Sequence, residues 1–264
     1  ISSFIFLCKD KVIVYFYKML KYLKEIGRYF ILMKKVFSFP EKKDIFFKQL
    51  FNEFEKVGLS SLSIVLIISF FVGGVVTIQQ AINIDDPLIP KYLIGFVTRD
   101  ALILEFSPTM IALILAGKVG SNIASEIGSM RISEQIDALE IMGINSASYL
   151  VLPKIIASIL FFPIMVILSI FIGIFGGWIG GISIGVTTAD FVLGLQTEFS
   201  PFYVSYSLIK TVVFAFLITS ISAFYGYFTK GGALEVGKSS TKAVVNSSIL
   251  ILIFNFIITE LLLT

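Results

Sequence analysis

The sequence has no histidine, one cysteine and few charged side chains. Without histidine, a Ser-His-Asp triad, a Cys-His pair and a histidine-ligated metal site are all excluded. The single cysteine, Cys8, excludes an internal disulfide and a cysteine-rich metal cluster. Charged residues make up 15% of the chain and apolar residues 56%, whereas soluble domains carry about 25% charged residues. The composition therefore indicates a polytopic membrane protein. We expect no catalytic site, no metal site and no nucleic-acid partner.

Long apolar runs lie between the few charges. A membrane-crossing helix needs about 20 mostly apolar residues. Runs of 28, 35 and 17 uncharged residues follow Lys56, Lys154 and Lys242, and two further runs are interrupted only by Glu105 and by Lys210. The fold class is therefore all-α, with five predicted spans near residues 59–81, 96–117, 155–183, 203–228 and 244–263.

The 35-residue run after Lys154 permits either one long span or two short helices. Residues 1–58 hold 12 of the 21 basic residues, and the loop at 185–202 holds none. Because cytoplasmic loops carry the excess of Lys and Arg, a single third span places both 1–58 and the basic loop at 229–243 inside. We therefore expect five spans, a cytoplasmic N-terminus and a periplasmic C-terminus.

The region before the first span divides into two parts. Residues 1–18 precede Met19, and we expect them to be a non-native or weakly structured extension. Residues 19–58 form a basic cytoplasmic or interfacial helical region, followed by the five-span domain at 59–264. Within the basic region, residues 40–57 are amphipathic at helical spacing, which predicts a helix lying in the membrane interface. The alternative is a helix packed on the protein's own cytoplasmic surface.

Residues 232–239 read GALEVGKS, which matches the phosphate-binding loop pattern G-x-x-x-x-G-K-[ST]. That pattern needs a buried strand before it, a helix after it and an α/β domain around it. Here a membrane span lies on either side, so we interpret the match as coincidence.

The segment 118–154 joins spans two and three. Gly120, Ala124 and Gly128 recur at a spacing of four, which favours close helix packing. Ser133 is a predicted N-cap for a short helix over 134–142, and Gly143 can end that helix. An acidic, partly apolar helix on the cytoplasmic face suits a soluble partner, although a plain connecting helix remains the alternative.

Two stretches resemble the MlaE permease family, the membrane subunits of ABC transporters that move lipids between bacterial inner and outer membranes. The first is LEFSPTMIALILAGKVGSNIASEIGSMRISEQIDALEIMGIN at 104–145, and the second is GGALEVGKSSTKAVVNSS at 231–248. The resemblance covers about residues 20–264 and implies that the five-span domain at 59–264 is a permease domain. It implies a homodimer, a cytoplasmic ABC ATPase that holds the ATP and Mg²⁺, a periplasmic Mce-domain protein, and a location in the bacterial inner membrane.

The resemblance also implies roles for particular residues. Glu105 matches an acidic residue near the lipid cavity, whereas Leu104 and Ser107 depart from the Arg and Gly of many members, so a headgroup role for Arg cannot be carried over to position 104. The short helix corresponds to the coupling helix that docks into the ATPase. The predicted coupling residues are Glu126, Arg131, Glu134, Gln135, Ile136, Asp137, Ala138, Leu139, Glu140, Met142 and Gly143.

Glu105 and Lys210 are the ionisable residues well inside the predicted spans. Such charges are costly in a bilayer and usually face a cavity or a partner. We expect them to face one lipid cavity or each other, and the predicted cavity residues are Glu105, Ser107, Pro108, Gln79 and Lys210. Alternatively, Lys210 reaches the interface and Glu105 makes a structural contact. Gly173, Gly177 and Gly181 form a four-spaced row that predicts tight packing, within the chain or across a dimer.

The sequence thus predicts a lipid permease subunit without enzymatic activity of its own, whose substrate is most simply a phospholipid. Two other classes remain open. An ion-coupled secondary transporter needs paired intramembrane carboxylates and internal repeats, and a membrane-embedded lipid enzyme needs a cluster of catalytic acids or bases.

Overall fold

A computed structural model describes residues 20, 23–38, 43–84 and 88–263. The predicted extension at 1–18 and Met19 lie outside these residues. All regular elements in the described residues are helical. Helix α1 covers 23–36. The others are α2 (Lys43–Glu53), α3 (Ser60–Asn83), α4 (Tyr92–Ala101), α5 (Ile111–Leu115), α6 (Ser121–Ile132), α7 (Gln135–Ile141), α8 (Ser146–Ser183), α9 (Thr188–Gln196), α10 (Pro201–Tyr227) and α11 (Ala233–Leu263).

Five helical stretches in the described residues are long and apolar enough to cross a membrane, which confirms the predicted number. They are Ile45–Asn83, Tyr92–Ile132, Ser146–Ser183, Pro201–Tyr227 and Ala233–Leu263. Each begins before its predicted first residue, and the first two also end after their predicted last residue. Charge spacing marks only the apolar centre of a span, whereas backbone hydrogen bonding continues into the polar flanks.

Three π-helical segments join α-helices without a break in the chain's path. Phe54–Leu59 joins α2 to α3, Leu102–Met110 joins α4 to α5, and Ala116–Gly120 joins α5 to α6. The second of these contains Pro108, which cannot donate a backbone hydrogen bond. Such wide turns inside helices are frequently found at functional sites, and this one carries Glu105.

The third span is a single helix of 38 residues, as predicted. The Asn145 side chain accepts a hydrogen bond from the Ser148 amide at its start. Pro153 and Pro163 lie inside the helix and do not end it. The alternative of two short helices is therefore wrong, because the apolar run continues without a polar turn.

The amphipathic segment combines the two interpretations drawn from the sequence. Leu50 is buried, whereas Phe47 and Phe51 are exposed. Helix α2 thus packs one edge of its apolar face on the protein, and the adjacent edge faces outward at the end of the first span. A surface of this kind is typical of helices that lie in a membrane interface.

Helix α1 packs against α10. The Tyr29 hydroxyl donates to Ser220 Oγ at 2.8 Å, and the rings of Tyr29 and Phe224 meet edge to face. Leu32 and Val36 are buried on the same side. A separately packed first helix was not predicted.

Glycines bring α3 and α8 into backbone contact. A methyl group on Gly73 would collide with the carbonyl oxygen of Gly173, and one on Gly177 would lie 2.6 Å from Thr77 Oγ1. Gly181 meets the Thr77 methyl at an ordinary distance. These three glycines of α8 thus lie against α3 within one chain, and Ser69 Oγ adds a hydrogen bond to Ser169 Oγ at 2.8 Å.

The earlier glycines pack α6 against its neighbours. A methyl group on Gly120 would lie 2.9 Å from Ser222 Oγ of α10, and one on Gly128 would meet Val236 of α11 at 3.2 Å. Both glycines thus lie at helix–helix contacts. Helix α10 is the most buried span, with 72% of its most apolar segment inside the structure, against 17% for α11.

A buried arginine fixes the end of the bundle opposite α7. Arg99 Nη1 donates to the carbonyl oxygens of Leu195 and Thr197 at 2.9 and 2.7 Å. Its guanidinium also lies over the Phe96 ring at 4.9 Å. Arg99 therefore ties α4 to the connection between α9 and α10.

Residues 233–239 of the phosphate-loop pattern form the first turns of α11. Lys238 pairs with Glu235 one turn earlier at 2.6 Å. No loop that could surround a phosphate exists at this position, so the interpretation as coincidence is confirmed.

Candidate functional site

The segment between spans two and three forms a short helix, α7, at the end of α6. The predicted capping by Ser133 is wrong, because its hydroxyl donates to the Ser129 carbonyl at 2.8 Å and so closes α6. Glu134 takes the N-cap position of α7 in the left-handed conformation, with φ 59°. The helix therefore runs over Gln135–Ile141, one residue shorter at each end than predicted. Gly143 has φ 77° and ends it as predicted.

Helix α7 presents an apolar tip to the outside. Ile141 is 87% exposed and Met142 64% exposed, whereas Ile136 is fully buried and anchors the helix to the core. Gln135 and Ala138 are also exposed, and Leu139 is half-buried. Exposed apolar side chains at the end of a short helix are typical of a surface that another protein covers.

Two polar links hold α7 to the bundle. Arg131 Nη1 of α6 lies 2.5 Å from Asp137 Oδ1. On the other side, Glu140 Oε1 accepts from the Tyr227 hydroxyl at 2.8 Å and from Ser146 Oγ at 3.0 Å. These two hydrogen bonds lower the pKa of Glu140 below its ordinary value. The carboxylate thus joins α7 to α10 and to the start of α8.

A buried charge network lies at the same end of the bundle. Lys154 of α8 is buried, and its ammonium lies 2.7 Å from Glu53 Oε1 and 2.5 Å from Glu126 Oε2. The other oxygen of Glu126 accepts a hydrogen bond from Lys56 Nζ at 2.8 Å. Glu53, Lys56 and Glu126 line a cavity of about 350 Å³. Glu126, predicted for coupling, therefore joins α6 to α8 and to the α2–α3 region.

The two charges predicted inside the membrane meet each other. Lys210 is fully buried, and its ammonium lies 2.7 Å from Glu105 Oε1 and 3.3 Å from the Leu104 carbonyl oxygen. It also lies 4.5 Å from the centre of the Tyr206 ring. The alternative, in which Lys210 reaches the membrane interface, is therefore wrong. The lysine is held inside the bundle because an opposite charge and a carbonyl oxygen lie within its reach.

The other oxygen of Glu105 faces a polar group of partners from its own helix and from α11. Asn255 Nδ2 donates to Glu105 Oε2 at 3.0 Å, and Thr109 Oγ1 donates to it at 3.3 Å. Thr259 contacts Oε1 at 3.4 Å. The Glu105 side chain is still 42% exposed. We call Glu105, Lys210, Thr109, Asn255 and Thr259 the membrane polar cluster.

The remaining predicted cavity residues lie elsewhere. Ser107 and Pro108 are buried, and Ser107 lines a crevice of about 10 Å³ together with Ser69 and Ser169. Gln79 is exposed near the end of α3. Of the five predicted cavity residues, Glu105 and Lys210 contact each other. For Ser107, Pro108 and Gln79, a lipid contact stays a prediction.

Sequence reasoning missed several partners in these networks. Thr109 lies one helical turn after Glu105, and Asn255 interrupts an apolar run, so both carried a usable signal. Lys154, Glu53 and Tyr227 carried none, because their importance depends on helices that pack together far apart in the sequence.

Among the residues that the structure describes, this arrangement defines an all-helical integral membrane protein with a charged pair inside its bundle of apolar helices and an exposed short helix at one end. The profile of the family described as Permease MlaE matches residues 50–261, so the chain belongs to the permease MlaE family. A probable ABC transporter permease protein of Rickettsia bellii is 35% identical, over 90% of this chain and 92% of its own length. One of Synechocystis is 36% identical over 80% of each chain. The intermembrane phospholipid transport system permease protein MlaE of Haemophilus influenzae is 29% identical, over 93% and 94%.

Proposed function

We propose that the chain is the membrane subunit of an ABC transporter that moves phospholipids between the inner and outer membranes of a bacterium. The observation that carries the proposal is the membrane polar cluster, which exposes a carboxylate beside a buried lysine in a chain of this family. A charged group at this depth needs a polar occupant or a water-filled cavity. A phospholipid headgroup beside acyl tails supplies both polar and apolar contacts.

The cluster suggests how a headgroup is held. Lys210 neutralises Glu105 and is already bonded to it. Asn255, Thr109 and Thr259 also contact this carboxylate, so a headgroup would exchange with one of these contacts at the exposed side of Glu105. These groups suit the ammonium or hydroxyl parts of a headgroup. Leu104 offers the phosphate no cation, and the apolar exposed faces of α3 and α11 suit acyl chains.

A second copy of the chain is the proposed cover for the exposed side of the cluster. Helix α11 is the least buried span, and it contributes Asn255 and Thr259. Ile249, Leu252 and Phe256 of α11 are exposed. In a homodimer the two clusters would face one shared cavity, which would open to the periplasm. A Mce-domain protein is the proposed acceptor or donor of lipid on that side.

The proposed ATP-driven partner binds at α7. The exposed Ile141 and Met142 would enter a groove of a cytoplasmic ABC ATPase, which carries the ATP and Mg²⁺, so hydrolysis takes place on that subunit. This assignment puts α7, α1 and α2 on the cytoplasmic side and the C-terminus in the periplasm. Both follow from the excess of basic residues before the first span.

Co-purification from native membranes tests the docking surface. The tagged parent chain is compared with Ile141→Arg and with a matched control, Ile82→Arg, which changes another exposed isoleucine at the far end of the first span. We expect an ABC ATPase to co-purify with the parent and the control and to be lost from Ile141→Arg. Its absence from the folded parent would overturn the proposal, and its retention by Ile141→Arg would reject α7 as the docking site.

A further inference from the structure

Three side chains from three helices meet at one carboxylate oxygen. The Tyr227 hydroxyl and Ser146 Oγ lie 2.8 Å apart, and each lies within hydrogen-bond distance of Glu140 Oε1. Each hydroxyl can donate only one proton, so the two hydroxyls can form only two of these three hydrogen bonds at one time. Without the tyrosine hydroxyl, Ser146 can still donate to Glu140. The link from α7 to α8 is therefore separable from the link from α7 to α10.

The residues differ in exposure in a way that suits transmission of motion. Glu140 is exposed on α7, whereas Ser146 and Tyr227 are buried. Tyr227 is also the last residue of α10. A displacement of α7 therefore acts directly on the end of the most buried span.

Helix α10 connects this contact to the membrane polar cluster. Lys210 precedes Tyr227 by 17 residues on the same helix, which corresponds to about 25 Å along the axis. Lys210 bonds both the carboxylate of Glu105 and the carbonyl oxygen of Leu104. A continuous helix packed on nearly all sides moves as a unit, so a shift at Tyr227 changes the position of Lys210 relative to Glu105.

We propose that Tyr227 is a positioning residue that couples movement of α7 to the Glu105–Lys210 pair. The inference rests on the proposed function, because it takes α7 as the ATPase-docking element. In one state of the ATPase, the Tyr227–Glu140 bond holds α10 where Lys210 neutralises Glu105. In the other, the displacement of α10 separates the pair and changes the charge presented to the lipid. The tyrosine hydroxyl thus determines how much lipid moves for each ATP hydrolysed.

The test uses the permease with its ATPase in proteoliposomes that contain a fluorescent phosphatidylethanolamine. Lipid transfer to acceptor vesicles and ATP hydrolysis are measured together. For Tyr227→Phe we expect hydrolysis and ATPase binding to persist, while phospholipid moved per ATP falls about tenfold, within the usual range of allosteric coupling. Ser146→Ala leaves the contact between Tyr227 and Glu140 in place and is expected to retain the parent ratio.

Tyr149→Phe is the matched control, since it removes a tyrosine hydroxyl that lies on α8 and outside this contact. An unchanged ratio in Tyr227→Phe overturns the coupling role, and so does loss of ATPase binding, which would make Tyr227 part of the dock. If Tyr227→Phe does not fold, Glu140→Ala removes the acceptor from an exposed position and must show the same fall. Failure of the parent complex to move lipid would instead overturn the proposed function.

Discussion

The ammonium of Lys210 and the carboxylate of Glu105 lie 2.7 Å apart inside the bundle, although 105 positions separate them in the sequence. The lysine is completely buried, and the glutamate is partly open. The two partners are therefore not equivalent, and their removal has unequal consequences.

Glu105→Gln is expected to destabilise the protein more than Lys210→Met. The first change leaves a buried cation without its counter-charge, which costs about 3 kcal/mol when a buried pair is broken. The second change leaves a half-exposed carboxylate that keeps its hydrogen bonds from Asn255 and Thr109, so the loss of stability is about 1 kcal/mol. Thermal unfolding of both variants in detergent measures the order. The double variant is expected to recover part of the loss, and the reverse order would contradict the burial assigned to Lys210.

Lys154→Met is expected to lower stability by about 3–5 kcal/mol. The change removes the cation between the carboxylates of Glu53 and Glu126 and leaves two facing negative charges. Lys56→Ala is the control, because an exposed ion pair contributes about 0–1 kcal/mol. Equal unfolding temperatures for the two variants would show that Lys154 does not hold α6, α8 and α2 together.

Gly73→Ala is expected to prevent correct assembly of the bundle. Its methyl group would collide with the Gly173 carbonyl oxygen. Only a shift of the backbone can relieve that collision. A methyl group on Gly237 would meet nothing within 4 Å. Gly237→Ala is therefore expected to raise the free energy of unfolding by up to about 1 kcal/mol through helix propensity. Size-exclusion profiles and unfolding temperatures compare the pair. A well-folded Gly73→Ala protein would contradict the close approach of α3 and α8.

The attachment of α7 is expected to weaken in acid. The pKa of Glu140 is lowered in the folded protein by hydrogen bonds from Tyr227 and Ser146. A lowered pKa means that the contribution is fully present above the ordinary glutamate value of about 4.3 and is lost as the pH falls through the folded-state value. Amide exchange of 135–141, corrected for its intrinsic pH dependence, reports the change. Glu140→Gln should remove this acid-dependent step, and an identical step in that variant would assign it to another group.

The homodimer proposal predicts a specific crosslink. In a Cys8→Ser background, Phe256→Cys on the exposed side of α11 is expected to form a disulfide-linked dimer in membranes. Phe171→Cys, at a similarly exposed position on α8, is the control and should stay monomeric. Crosslinking of the control alone would place the dimer interface on α8 instead.

The spacing of charges was sufficient to predict the five spans and the single third helix, since a bilayer makes every isolated charge informative. The pairing of Glu105 with Lys210 was one of two possibilities given for charges that face inward, and a third had Lys210 at the interface. The choice between them depends on how α10 is rotated about its axis, which a uniformly apolar span does not encode. Ser133 was assigned to the wrong helix because a serine hydroxyl can either accept from an amide of the following helix or donate to a carbonyl oxygen of the preceding one, and here it donates to Ser129. Tyr227 and Lys154 act through partners that only tertiary packing brings near.

We expect this chain to move phospholipid through the membrane polar cluster when its ATPase hydrolyses ATP. The most direct measurement is transfer of fluorescent phosphatidylethanolamine from proteoliposomes holding the permease–ATPase complex, with and without ATP, for the parent and for Glu105→Ala. We predict ATP-dependent transfer by the parent and its loss in the assembled Glu105→Ala complex. ATP hydrolysis by an intact parent complex without any lipid transfer, or full transfer by Glu105→Ala, would contradict the account.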